Sequence, residues 1–215
     1  MALKVGVLIS GRGSNLDALI RATATPGFPA GIVTVISNRA EAAGLAKAEA
    51  AGIPAHVIAP RSFPSKEAFE DALDAALERA GVELICLAGF MRLLSRAFVT
   101  KWKDRIVNIH PSLLPAFKGL HTHERVLAAG VRVSGCTVHF VRPDMDTGPI
   151  ILQAAVPVEA SDTPETLAER ILAWEHKIYP QALRYIAEKR VQIVDETVRI
   201  AGAEAPAPGF MSPQG

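Results

Sequence analysis

The sequence predicts an α/β fold: a single domain built on a Rossmann-like, mostly parallel sheet with flanking helices and a C-terminal antiparallel hairpin extension. Continuous apolar runs (VGVLIS, GIVTVIS, LICLAG) recur, and each leads through a loop into a stretch with helical spacing. That alternation builds parallel βαβ units whose strands are buried on both faces. Two longer β-type runs then flank RPDMDTGP, whose Pro, Asp and Gly content marks a turn, so the chain switches there to antiparallel pairing. The domain is expected to span residues 1–202. The segment AEAPAPGFMSPQG (203–215) has too little to bury and is expected to be a mobile tail.

Composition narrows the function classes. Of 215 residues 49% are hydrophobic, enough for a sizeable core, and the formal net charge of +1 gives no hint of a nucleic-acid surface. No apolar run approaches the roughly 20 residues that span a bilayer. The N-terminal MALKVGVLIS runs straight into a strand without a signal-peptide cleavage pattern, so a cytoplasmic location is expected, with neither membrane nor nucleic acid as partner. Two cysteines make no disulfide framework, and both Cys86 and Cys136 sit in apolar runs that suit buried thiols.

In order, VGVLIS is a strand, GRGSN a turn, and LDALIRATA a helix with Leu16, Leu19, Ile20 and Thr23 on one face. Ser14 or Asn15 is placed to cap that helix, and the free N–H groups with the close backbone approach of Gly13 form a cradle for a small phosphate. A plain tight turn fits the same residues. The turn lacks the third glycine of a dinucleotide fingerprint, and no Gly-Lys-Ser/Thr follows as in a nucleotide-polyphosphate loop. GIVTVISNR is a second strand, EAAGLAKAEAAG a helix ending at Gly52, and AHVIAP a third strand.

PSKEAFEDALDAALERAG is a helix with Phe69, Leu73, Ala76 and Leu77 expected inside and Glu70, Asp71, Asp74 and Glu78 outside. Lys66 falls in its first turn, where the helix dipole disfavours a cation. An anionic ligand nearby or a solvated side chain would each account for it.

A fourth strand, Glu83 to Leu87, leads into a loop holding Met91, Arg92, Leu93 and Leu94. One arginine in an apolar loop suits a flat apolar ligand with an acidic tail, or packing beneath the next helix, SRAFVTKWKD.

RIVNIH is the fifth strand, and its end is where the chemistry gathers. Asn108 and His110, two residues apart, leave a strand on the same face before Pro111 and Pro115 impose a rigid loop. An amide and an imidazole beyond a buried strand's carboxyl end can stabilise an oxyanion and move a proton. They can also simply cap the loop. Asp144 and Asp146, in the later turn, are ordinary turn residues or an orienting partner for an imidazole.

The last long helix starts at Thr163 with Pro164 in its first position, presents Leu167, Ile171, Trp174 and Ile178, and is bent by Pro180. Glu175 borders its buried face and needs an ion-pair partner or a ligand, while His176 points the other way. KRVQIV and TVRIAG are two short strands.

Taken together, ISGRGSNL, LAGFMRLLS, NIHPSLLPAFKGLHTH, HFV and DMDTGPIILQ resemble the folate-dependent formyltransferases of purine biosynthesis, across all of the chain but the tail. NIHPSLLP and D-x-G-P mark the superfamily. GRGSN and WEHKIYP resemble the branch that acts on glycinamide ribonucleotide.

The resemblance implies Asn108, His110 and Asp146 as the catalytic set, with Asp146 favouring the imidazolium of His110. It implies Gly13, Ser14, Asn15 and Glu175 as contacts of the ribonucleotide. It also implies Lys66, Met91, Arg92, Leu93, Leu94, Asn108 and Val141 as contacts of the cosubstrate 10-formyltetrahydrofolate. No metal is expected, and the enzyme would act as a monomer or homodimer on two small molecules. The rival within the superfamily is a formyltetrahydrofolate deformylase, using the same triplet on water. From another class, His110, His121, His123, His139 and Asp146 could be metal ligands, but their spacing matches no strong zinc signature.

Overall fold

A computed structural model describes residues 1–204 and 211–212; most of the tail expected to be mobile lies outside them. Seven strands form one sheet in the order β3-β2-β1-β4-β5-β6-β7. Strands β1 (Leu3–Ile9), β2 (Ala30–Ser37), β3 (Ala55–Val57), β4 (Leu84–Leu87) and β5 (Ile106–His110) are parallel. Strands β6 (Val133–Phe140) and β7 (Ile150–Pro157) pair antiparallel, as the turn composition predicted. A separate two-stranded hairpin, β8 (Val191–Val194) and β9 (Thr197–Ile200), follows. The third strand keeps only three of its expected residues and forms the sheet edge.

Helices cover both faces. On one, Leu16 and Leu19 of α1 (Ser14–Thr23) and Tyr179, Ala182 and Leu183 of α6 (Pro164–Ala187) meet Val5, Val7 and Ile9. On the other, α3 (Lys66–Arg79) and α4 (Arg96–Lys101) bury Phe69, Leu73, Leu77, Phe98 and Trp102 against Leu8, Ile36 and Ile85. Burying each of the valines, leucines, isoleucines and phenylalanines among them contributes about 1.5–3 kcal/mol. The shorter α2 (Gly44–Ala50) and α5 (Thr122–Ala128) complete the layers, and no helix among the described residues is long and apolar enough to cross a membrane.

Helix α6 begins at the expected Thr163 cap, with a full capping box, and continues past Pro180. Its buried tyrosine acts on the sheet: the Tyr179 hydroxyl donates to the carbonyls of Leu87 (3.0 Å) and Val107 (3.2 Å), joining the end of β4 to the start of β5.

Three expectations change. Glu70 is buried, because its carboxylate accepts the Ser95 N–H at 2.7 Å and so caps the loop before α4. Asp74 is turned inward to accept from the Trp102 indole at 2.7 Å. Trp174 leaves the apolar stripe and lies exposed with Lys177 over its ring, while Glu175 and Tyr179 take the inner face.

Candidate active site

The parallel strands present their carboxyl ends along one edge, and between β1 and β4 the connections diverge to opposite sides of the sheet. Such a switch point leaves a crevice. Here a cavity of about 340 Å³ is lined by Ser10, Gly11, Arg12, Gly13, Ser14 and Asn15 after β1, Arg39 after β2, and Ala88, Gly89 and Met91 after β4. Ser10 ties its walls together, donating to Asn38 Oδ1 (2.5 Å) and accepting the Met91 N–H (2.7 Å).

Neither Ser14 nor Asn15 caps α1 through its side chain, contrary to expectation. Gly13 is the cap residue, in left-handed backbone at φ 68°, and its carbonyl accepts from Asp17 N–H. A Cβ on Gly13 would come within 2.7 Å of the Gly44 backbone, so only glycine fits both the angle and the space. The first-turn N–H groups therefore open toward the cavity with the positive end of the helix dipole behind them.

The amide of Asn15 has a different task. Its Nδ2 donates to Glu175 Oε2 at 2.7 Å, and its Oδ1 has no partner among the described residues. Burial holds the Glu175 carboxyl above the ordinary carboxylate range, against the Asn15 hydrogen bond. An unpaired amide oxygen beside a reluctant carboxylate is suited to accept hydrogen bonds from a polyhydroxyl ligand. His176 is half-buried rather than turned to solvent, and burial lowers its pKa.

Two strands further along, the edge carries the predicted catalytic residues. His110 is buried at the end of β5, and its Nδ1 lies 3.5 Å from Asp146 Oδ2. Its Nε2 meets the Phe117 carbonyl at 3.0 Å. Asp146, at φ 52° in the β6–β7 connection, is steadied by the Gly119 N–H at 2.8 Å. The same connection closes at Gly148, where a Cβ would fall 1.6 Å from the Phe140 carbonyl oxygen.

One member of this site was not singled out from the sequence beyond the metal reading. His139 stands opposite Asn108 in the antiparallel β5–β6 register, and its Nε2 lies 3.3 Å from Asn108 Nδ2. Its Nδ1 donates to the Phe140 carbonyl at 2.9 Å. Burial lowers the His139 pKa, although its own backbone bond and Asp146 act the other way. The ring is thus neutral, with Nε2 as an acceptor that fixes the Asn108 amide. At 3.9 Å from Asp146 Oδ1 a neutral ring makes no ion pair. The period-2 pattern of TVHF held the signal, but only strand pairing placed it opposite Asn108.

Thr137, opposite His110, anchors the following loop: its hydroxyl donates to the Ser112 carbonyl (2.6 Å) and accepts Leu114 N–H (3.0 Å). The Leu114–Pro115 peptide is cis.

Among the other predicted contacts, Met91 and Leu93 are exposed, while Leu94 and Val141 pack against the α3–α4 core. The Arg92 guanidinium lies 5.9 Å from the Phe69 ring centre, and Lys66 Nζ is 3.9 Å from Glu70 Oε1. Both cations thus attend the first turns of α3. Among the described residues no group of three or more His, Cys, Asp or Glu side chains is arranged to hold a metal ion. Burial pushes the thiols of Cys86 and Cys136 up to about 12, which removes them as nucleophiles.

Fold and site together set an amide, an imidazole and a carboxylate within reach of one another at the carboxyl edge of an α/β sheet. Residues 3–183 match the formyl transferase family, and the chain belongs to it. It is 41% identical over 208 residues to the phosphoribosylglycinamide formyltransferase of Escherichia coli, covering 97% of this chain and 98% of that one. It is 56% identical over 190 residues to the trifunctional purine biosynthetic protein adenosine-3 of Bos taurus, covering 88% of this chain but only 19% of that protein's length. The crystal structure of glycinamide ribonucleotide transformylase 1 from Symbiobacterium toebii superposes with a TM-score of 0.90 at 51% identity, covering 93% and 94% of the two chains. A formyltetrahydrofolate deformylase from Pseudomonas syringae pv. tomato shares the fold with a TM-score of 0.85 at 25% identity, covering 93% of this chain and 66% of that one.

Proposed function

We propose that this protein is a phosphoribosylglycinamide formyltransferase, which moves the formyl group of 10-formyltetrahydrofolate to the amine of glycinamide ribonucleotide in purine biosynthesis. The observation that carries the reading is the cavity at the switch point. It sets a helix N-terminus and two arginines, Arg12 and Arg39, beside the reacting edge of the sheet. A phosphorylated acceptor gives that cradle a purpose, whereas a hydrolase acting on water would not need it. The near full-length likeness to the Escherichia coli enzyme points the same way.

In this reading the backbone of Gly13, Ser14 and Asn15 receives the phosphate, and Asn15 Oδ1 with Glu175 receives the ribose and glycinamide donors. The exposed Met91 and Leu93, with Leu94 and Val141 behind them, suit a flat apolar pteridine. Lys66 and Arg92 suit an acidic tail. The folate supplies an activated formyl group on nitrogen.

The substrate amine forms the new C–N bond as the bond to the folate nitrogen breaks. Asn108 Nδ2–H stabilises the charge on the formyl oxygen, joined by an imidazolium His110 once its Nε2–H turns from the Phe117 carbonyl, each well-placed donor contributing about 2–4 kcal/mol to the barrier. The imidazolium gives its proton to the departing folate nitrogen and takes one back from the attacking amine, directly or through water. Asp146 balances the imidazolium.

The test supplies 10-formyltetrahydrofolate with and without glycinamide ribonucleotide and follows the formyl group. Formylglycinamide ribonucleotide should form only with the acceptor present. Free formate released at the same rate without acceptor would make the protein a deformylase.

A further inference from the structure

The β6–β7 connection carries Asp146 near its far end and, at its start, an arginine that the reaction does not use. The Arg142 side chain is only 12% exposed, and two carboxylates from distant parts of the chain share its guanidinium. Nε donates to Glu196 Oε2 at 2.6 Å and Nη2 to Glu196 Oε1 at 3.2 Å, a two-point grip. Nη2 also donates to Asp104 Oδ1 at 2.7 Å, and Nη1 turns back on the Val141 carbonyl at 3.2 Å. The Arg142 hydrogen bonds hold the Glu196 carboxyl below its ordinary pKa.

The backbone under these carboxylates is unusual. Asp104 (φ 60°), in the turn between α4 and β5, and Asp195 (φ 48°) and Glu196 (φ 57°), at the tip of the β8–β9 hairpin, are all left-handed. Non-glycine residues persist there when their surroundings fix them. A fork-shaped guanidinium gripped from two sides is fixed in direction as well as place. Its stem reaches the other end of the connection, for the arginine Cγ lies 3.3 Å from where a Cβ on Gly148 would stand.

We propose that Glu196 and Asp104 are positioning residues of the active site: through Arg142 they fix the 141–148 connection, and with it the Asp146 carboxylate beside His110. The C-terminal hairpin, which lies beyond the residues matched to the family, thereby becomes a working part of the site. The proposal rests on reading Asp146 as catalytic.

The experiment uses the full chain with Glu196→Gln, Arg142→Gln, the double variant, and Asp146→Asn as reference. Glu196→Gln should lower kcat about tenfold, since small misplacements of a reacting group are costly, and raise KM for 10-formyltetrahydrofolate. The KM for glycinamide ribonucleotide should stay as in the parent, because that ligand sits at the β1–β4 crevice. Amides of 142–148 should exchange with deuterium about tenfold faster while the core strands hold their protection. Arg142→Gln should do the same, and the double variant should lose little more than Arg142→Gln alone. If Asp146→Asn lowers kcat by ~10²-fold or more while both single variants keep parental kcat, folate KM and exchange, the positioning role is overturned. If both KM values rise together with a lower thermal midpoint, the cluster is a general prop, and that also overturns it. If Asp146→Asn itself leaves kcat intact, the catalytic reading of Asp146 falls instead.

Discussion

His110 and Asp146 meet at 3.5 Å through Nδ1 and Oδ2, while the other ring nitrogen of His110 faces the Phe117 carbonyl at 3.0 Å. Both ring nitrogens thus face oxygen. The carboxylate also accepts the Gly119 N–H, so its direction is set from the loop after β5.

Asp146→Asn keeps the size of the side chain and removes its charge. The kcat should fall by ~10²-fold or more, because the lost term acts on the transition state, while both substrates still bind. His110→Ala should cost at least as much, and the double variant little more than His110→Ala. Single-turnover rates for the four proteins check this, and simple addition of the two costs would dissolve the pair.

His139 should matter as an acceptor. His139→Ala leaves the Asn108 amide free to rotate and should lower kcat by about tenfold or more, within the cost of one misdirected oxyanion donor. His139→Gln, whose carbonyl oxygen can accept from Asn108, should recover part of that loss. Equal activity in the Ala and Gln variants would show that the ring only fills space.

Gly13→Ala should raise the KM for the ribonucleotide by about tenfold or more and leave binding of a folate analogue little changed. The methyl group meets the Gly44 backbone at 2.7 Å, so the cradle must open. Asn15→Ala should also raise that KM, since it removes the unpaired Oδ1 and the Glu175 partner together. Titration calorimetry with each ligand separates the two sites.

Glu175→Gln should stabilise the fold at alkaline pH. The native carboxyl is held above its unfolded pKa, so between the two values the native state binds more protons and stability falls as pH rises. A glutamine removes that slope and can still accept from Asn15. The thermal midpoint of the variant should therefore exceed the parent's at pH 8 and converge with it below the unfolded pKa of about 4.3. Its KM for the ribonucleotide should rise in the same preparation.

Chelation should leave the rate intact, because the histidine spacing matches no strong zinc signature. Turnover lost in EDTA and restored by zinc would return the metallohydrolase reading.

Local pattern carried much of this molecule. The βαβ alternation, the Thr163 cap and the antiparallel switch at RPDMDTGP all follow from short-range periodicity and turn chemistry, and Asn108 and His110 stand out by their two-residue spacing. What escaped depends on partners far along the chain. Glu70 looks like a surface residue until Ser95 arrives to be capped, and Trp174 looks buried until Glu175 takes the inner face to meet Asn15, 160 residues away. His139 needed the β5–β6 register to become the neighbour of Asn108. The grip of Glu196 on Arg142 spans 54 residues and two separate sheets, beyond any periodicity argument.

The two buried thiols also make the protein its own gauge of local opening. Cys86 lies in β4, between β1 and β5 of the parallel strands, and Cys136 in β6, within the antiparallel extension. With both thiols held near 12, a maleimide can reach either only when its strand is transiently released to water. Alkylation rates read by peptide mass therefore rank how often each half of the sheet breathes, without any engineered label. A Cys136 rate outpacing Cys86 would mean that the extension carrying His139 opens while the half holding the β1–β4 crevice stays shut.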